Sequence, residues 1–181
     1  MYRTKNLILE PIVDDSWCDQ YSWFDDQEVC KYNSHGKLTN RDLGKINPEN
    51  NILWAVSLCG SRTHIGNIML ANINWIDRNA EFSCIFGEKK YWGKGYATEA
   101  AEVLFKHGFE KLNLHKIWLG TAAVNGGMIK VADNLGMEQE GFLKEHLFLE
   151  GQYVNCVMLG ITRLMWNKRQ AYTDILNKDS K

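Results

Sequence analysis

One run constrains this chain more than any other: Phe86-Gly87-Glu88-Lys89-Lys90-Tyr91-Trp92-Gly93-Lys94-Gly95-Tyr96-Ala97-Thr98-Glu99-Ala100. It joins an alternating, strand-like stretch to a helical one. Gly93 and Gly95 permit a tight bend with no Cβ in the way, and Ala97 keeps the start of the next helix narrow. The first N–H groups of a helix have no intrahelical partner and lie at the positive end of its dipole. Such a bend suits an anion, phosphate above all. Lys90 and Lys94 add charge beside it. The third glycine of a dinucleotide fingerprint is missing, and no Gly-Lys-Ser/Thr follows at P-loop spacing. On these residues alone, the bend is either an anion cradle or only a tight turn.

Hydrophobic periodicity supplies the frame around it. Leu7–Leu9 reads as a strand stopped by Pro11. Residues 14–32 read as helical, with Asp14 or Asp15 as cap, and a second short helix starts at Asn40 and runs through Ile46. Ile52–Leu58, Ile65–Ile73 and Ala80–Phe86 form an antiparallel meander, with Asp77-Arg78-Asn79 between the last two. Ala97–Leu112 has helical spacing, and Ala97, Ala101, Leu104, Phe105 and Leu112 share its apolar face. Lys116–Thr121 is a strand, Gly126–Leu135 a helix ended by Gly136, and Gly141–Leu149 and Tyr153–Thr162 are closing strands around Gly151. The order predicts an α/β fold: a mixed, mostly antiparallel central sheet with helices on both faces. With 181 residues, one domain over 1–166 is expected, followed by a polar tail, 167–181, ordered only in part.

Charge and cysteines narrow the function. A net charge of -1 gives no basic excess for nucleic acid. Cys18, Cys30, Cys59, Cys84 and Cys156 form no CxxC pair, which fits reduced thiols in the cytoplasm and no metal site. No basic-then-apolar leader opens the chain and no stretch of 18 apolar residues exists, so neither a signal peptide nor a membrane span is expected.

The loop Trp92-Gly93-Lys94-Gly95-Tyr96-Ala97 resembles the pyrophosphate loop Q/R-x-x-G-x-G/A of the GNAT family of acyl-CoA-dependent N-acyltransferases. Gly95 and Ala97 match, whereas Trp92 replaces Gln/Arg. The wider run Tyr91–Ala100 resembles the RimJ/RimL-like branch. Two further segments follow in family order: Asn125–Lys130 with Asn134-Leu135-Gly136-Met137, and the hairpin from His146 to Asn155.

The resemblance implies splayed strands, Ala80–Phe86 and Lys116–Thr121, forming the acyl-CoA cleft. Backbone groups of Cys84, Ile85 and Phe86 would pair with the pantetheine arm. Trp92, Gly93, Lys94, Gly95, Tyr96, Ala97 and Thr98 would hold the pyrophosphate. Asn125 would bond the arm from the far side, and Lys130 would reach a phosphate. The implied reaction is direct attack of a primary amine on acetyl-CoA in a ternary complex, which needs positioning and a base. Glu81 is the first candidate base, with a solvent-face carboxylate as the plainer reading; alternation sets Glu81, Ser83 and Ile85 on one face. His146 is the second candidate, and Glu99 reads as a helix-start residue. The family's tyrosine acid stands seven positions after the helix asparagine, which here is Ala132. Tyr91, Ser83 or water is left for that role, and Cys84 is disfavoured as a nucleophile because it faces away from Glu81.

Expected walls of the acceptor pocket are Trp17, Trp23, Phe24, Tyr32, Asn33 and His35, with Trp75 and Tyr153 nearby. Asp25, Asp26 and Glu28 would attract a cationic amine, or simply form a solvated face. Asn155 stands where close relatives often carry Asp. The acceptor is a small-molecule amine or a protein N-terminus, and a homodimer is an open partner. Two rival readings are a non-catalytic acyl-CoA sensor on the same fold and transfer of a longer acyl group.

Overall fold

The computed structural model describes residues 1–12, 21–32 and 47–179. Among them one sheet holds eight strands: β1 (Tyr2–Arg3), β2 (Leu7–Pro11), β3 (Ile52–Leu58), β4 (His64–Asn74), β5 (Asn79–Ile85), β6 (Lys116–Ala122), β7 (Glu138–Leu149) and β8 (Gln152–Thr162). Their spatial order is β1-β2-β3-β4-β5-β6-β8-β7. Every neighbouring pair is antiparallel except β5 with β6. The helices are α1 (Tyr21–Asp25), α2 (Tyr96–Glu110), α3 (Gly126–Leu135) and α4 (Arg163–Asp179). A 3-10 turn, Lys89–Tyr91, precedes α2.

The core forms where α2 meets the sheet. Ala100, Ala101, Leu104, Phe105, Gly108 and Phe109 are the buried residues of α2, a repeat of adjacent pairs every four residues that turns one stripe inward. Phe105 packs edge-on against Phe82 of β5, ring centroids 5.1 Å apart, and tilts against Trp166 of α4. Gly108 brings the helix close to the sheet: a Cβ there would stand 3.1 Å from Ile117 and Leu70. Leu135 of α3 joins the same core, and Gly136 at φ 77° ends that helix. Pairing register sets Phe82 and Cys84 on the α2 side, and Glu81, Ser83 and Ile85 on the other. Trp23 of α1 lies 5.0 Å from the ring of His64.

The mixed, mostly antiparallel sheet flanked by helices is the fold that the periodicity predicted. Three details differ. Tyr2–Arg3 pairs with Leu9 and Ile8, a two-residue strand too short to carry a periodicity signal. α4 is a helix that the expected element order lacks, and Trp166 on it is buried against Phe109. In the stretch read as one helix over 14–32, Tyr21–Asp25 is helical and Gln27–Tyr32 is turn. The cap candidates Asp14, Asp15 and Asn40 lie outside the described residues.

Candidate active site

β5 and β6 pair at three positions only: Asn79 with Lys116, Ala80 with Ile117, and Glu81 with Trp118. Beyond Glu81, β5 stays bonded to β4 as far as Ile85, and β6 stays bonded to β8 as far as Ala122. The two strands therefore part after Glu81 while each keeps its outer neighbour. A wedge opens in the sheet, flanked by Phe82–Ile85 on one side and Leu119–Ala122 on the other. Backbone groups along such a wedge have no cross-strand partner, so they can pair with an extended chain inserted between them.

The glycine bend lies beyond the β5 side of the wedge. Gly93 and Gly95 have φ of 71° and 82°, a left-handed region that L side chains enter at a cost. A Cβ at either would meet nothing within 4 Å, so the bend faces open space. Gly95 caps α2, and Glu99 N–H donates to Gly95 O at 3.0 Å as the first helical bond. The N–H groups of Tyr96, Ala97 and Thr98 thus precede the helical ladder and are free for an anion. The Lys90 and Lys94 ammoniums each stand 5.1 Å from the Tyr91 ring centroid. Tyr91 belongs with this basic bend and packs against the core.

Across the wedge, Asn125 caps α3. Its Oδ1 accepts from Met128 N–H at 3.2 Å, and its Nδ2 donates to Thr121 Oγ1 at 3.0 Å. Thr121, buried on β6, is a residue that sequence reading missed; its hydroxyl orients Asn125 at the wedge. Lys130 lies exposed on α3.

Glu81 sits at the apex of the wedge, where its Oε2 accepts from Asn72 Nδ2 at 3.1 Å. Asn72 occupies a bulge in β4, at φ 51°. The structure does not gather the other candidates around Glu81. His146 is exposed on β7, separated from β5 by β6 and β8. Asn155 Oδ1 accepts from Glu145 N–H at 2.9 Å and so staples the bulge next to His146. Glu99 accepts from Asn6 N–H at 3.1 Å and from Asn6 Nδ2 at 2.9 Å, a structural duty. Ala132 is wholly buried. Desolvation pushes the Cys84 thiol up to about 12, which keeps it protonated.

Of the expected acceptor walls, Trp17, Asn33 and His35 lie outside the described residues. Trp23 is buried against Gly87, Trp75 donates from its indole to Glu49 O at 3.1 Å, and Tyr153 pairs with Phe148 at 5.0 Å. Two further contacts had no sequence signal. Lys89 Nζ reaches Asp26 Oδ2 at 2.8 Å and Glu28 Oε2 at 3.0 Å. The Trp92 indole donates to Phe86 O at 2.6 Å.

A family described as acetyltransferase (GNAT) domain matches residues 6–138. The spermidine N(1)-acetyltransferase of Escherichia coli is 38% identical over 96 residues, 53% of this chain and 51% of that protein. The matched stretch spans about half the length of that relative. The crystal structure of spermidine N-acetyltransferase from Vibrio cholerae in complex with CoA and spermine superposes with a TM-score of 0.81 at 24% identity, covering 90% of this chain and 99% of that one. The ribosomal protein uS5-alanine N-acetyltransferase of Escherichia coli is 26% identical over 102 residues. These findings overturn the RimJ/RimL-like branch: the chain is more similar to spermidine/spermine N-acetyltransferases. The run Tyr91–Ala100 forms the glycine bend and the first turn of α2, and backbone geometry there carries no information about an acceptor.

Proposed function

We propose, from the premise that this chain belongs to the GNAT acetyltransferase family, that it moves an acetyl group from acetyl-CoA to a primary amine of a small polyamine. The wedge that opens after Glu81 and leads to the open glycine bend carries this reading. Likeness to spermidine N-acetyltransferases supports the acceptor class.

The residues present fit the cofactor. Cys84, Ile85 and Phe86 line the β5 side of the wedge, and Asn125 closes its far side. Gly93 to Thr98 present N–H groups, with Lys94 and Lys130 adding positive charge. Acetyl-CoA, when bound, supplies the activated acyl group as a thioester. The chain holds the two reactants together, which by itself accounts for a large part of the rate in such reactions. Glu81 accepts, directly or through water, the proton that the substrate ammonium must lose before its nitrogen can attack the thioester. Asn72 fixes the carboxylate in place for that task. No hydroxyl at Ala132 donates a proton to the departing thiolate, so water or Ser83 fills that role.

A homodimer belongs to the same reading. Phe142, Leu143, Phe148 and Tyr153 are exposed on β7 and its hairpin, at the edge of the sheet, and a second copy would cover them. The free thiols of Cys30, Cys59, Cys84 and Cys156 support a reducing, cytoplasmic setting. No described helix is long and apolar enough to cross a membrane. The near-neutral charge argues against nucleic acid as a partner.

Release of free CoA thiol from acetyl-CoA, followed with spermidine, an aminoglycoside and a peptide N-terminus, tests this function. Turnover highest with spermidine is expected. CoA binding with no turnover on any amine would favour the sensor reading, which the buried Ala132 at the acid position supports. Faster turnover of longer acyl-CoAs would favour the other acyltransferase reading.

A further inference from the structure

We propose that Trp92 is a positioning residue for the cofactor loop: its indole N–H, bonded to the Phe86 carbonyl, sets the glycine bend at a fixed place relative to the exit of β5. This rests on the reading of that bend as the cradle for the CoA diphosphate. Trp92 Nε1 donates to Phe86 O at 2.6 Å, and the Trp92 backbone N–H donates to Lys89 O at 3.0 Å. The residue is therefore fixed at both ends. The residue is 41% exposed, so burial is not what holds it there.

The other side of the same exit is also gripped. A Cβ on Gly87 would fall 1.9 Å from the Trp23 ring, and Trp23 in turn lies against His64. His64 Nε2 stands 3.0 Å from Gly66 O and 2.9 Å from Asn67 Oδ1. Phe86-Gly87 thus touches two tryptophans, Trp23 of α1 and Trp92 at the head of the cofactor loop.

The bend itself has little else to locate it. Gly93 and Gly95 are exposed, and open space surrounds the positions their Cβ atoms would take. Glycine-rich backbone has many alternative conformers, and ordering it on binding weakens affinity. A tether on the residue immediately before Gly93 reduces that ordering. Gln or Arg occupies this position in the loop pattern that the sequence resembles. Both end in an N–H donor, as Trp does, so the shared property is donation to a carbonyl rather than charge or shape.

Calorimetric titration of CoA into the wild-type chain and two variants tests the proposal. Trp92→Phe keeps a ring and removes the donor. It should raise the CoA dissociation constant about three- to tenfold, the range expected for one hydrogen bond. Trp92→Gln restores a donor and should recover most of the affinity, although it removes more ring. Equal affinity in Trp92→Phe and wild type overturns the proposal, and so does an equal loss in both variants, which would assign the effect to packing. Absence of CoA binding by the wild type overturns the cofactor reading and this proposal together. Should Trp92→Phe fail to fold, the wild-type indole decides. In ¹⁵N-tryptophan-labelled protein the Trp92 N–H should exchange slowly with solvent and shift on CoA addition, and fast exchange with no shift overturns the tether.

Discussion

Asn72 Nδ2 donates to Glu81 Oε2 at 3.1 Å, from a bulge whose own N–H is held by Asn51 Oδ1 at 3.1 Å. The strand irregularity thus aims a donor at the carboxylate where the sheet splits. Glu81→Gln keeps an oxygen for Asn72 and nearly the same volume, but it cannot take a proton at neutral pH. Its kcat/KM for acetyl transfer should fall about a hundredfold or more, the usual yield of a general base. Its CoA affinity should match wild type. A kcat/KM profile identical to wild type from pH 6 to 9 removes Glu81 as the base.

Gly95 combines φ 82° with open space around its Cβ position. Any L residue there carries about 1–2 kcal/mol of backbone strain. Gly95→Ala adds that strain and little bulk, so it should unfold at lower temperature yet retain most CoA affinity. Gly95→Trp places an indole where the anion is proposed to rest and should abolish CoA binding in calorimetry. Wild-type affinity in a folded Gly95→Trp protein counts against the cradle.

The glycine bend and the alternation of Glu81, Ser83 and Ile85 were legible because backbone conformation and strand period are local properties of the chain. The order of elements followed from the same periodicities. What stayed hidden depends on which groups the folded backbone brings together. The wedge was expected only through the family resemblance, because no residue between 82 and 85 declares where β5 and β6 stop pairing. The Thr121–Asn125 and Trp92–Phe86 bonds were out of reach because a donor's identity does not name its acceptor. Tyr91 stands in the turn Lys89–Tyr91 with the Lys90 and Lys94 ammoniums each 5.1 Å from its ring centroid, a cluster that adjacency of the three residues in sequence leaves open.

Cys84 has its thiol pushed up to about 12 by burial. At pH 8 about one molecule in ten thousand then carries the thiolate, the form that reacts. Iodoacetamide at pH 8 should leave Cys84 unlabelled in the folded protein and label it in urea. Incubation with acetyl-CoA alone should leave no hydroxylamine-sensitive acetyl group on the Cys84 peptide. Mass-spectrometric detection of that adduct would replace direct transfer with a covalent route.

Lys89 bridges Asp26 and Glu28, tying the segment after α1 to the turn that leads into the glycine bend. Its hydrogen bond holds the Asp26 carboxyl below the usual 3.8, and the same contacts hold the Lys89 ammonium above 10.5. A lowered carboxyl stabilises the clamp above its unfolded value and loses that effect as pH falls through the folded one. A raised ammonium stabilises it below 10.5 and loses that effect as pH rises through the folded value. The clamp is therefore closed across the neutral range and opens in acid below 3.8. Asp26 Oδ1 also accepts from Glu28 N–H at 2.9 Å, and Asp26 O accepts from Cys30 N–H at 3.0 Å, so these amides report its state. At pH 7, Lys89→Met should speed hydrogen exchange at Glu28 and Cys30 several-fold while leaving α2 amides unchanged. High salt should move the wild type part of the way to the same result, because Lys89 and Glu28 are exposed to solvent and Asp26 is only half-buried. Exchange rates at Glu28 and Cys30 that match wild type in the variant would show that the segment is held by its other contacts, Trp23 foremost.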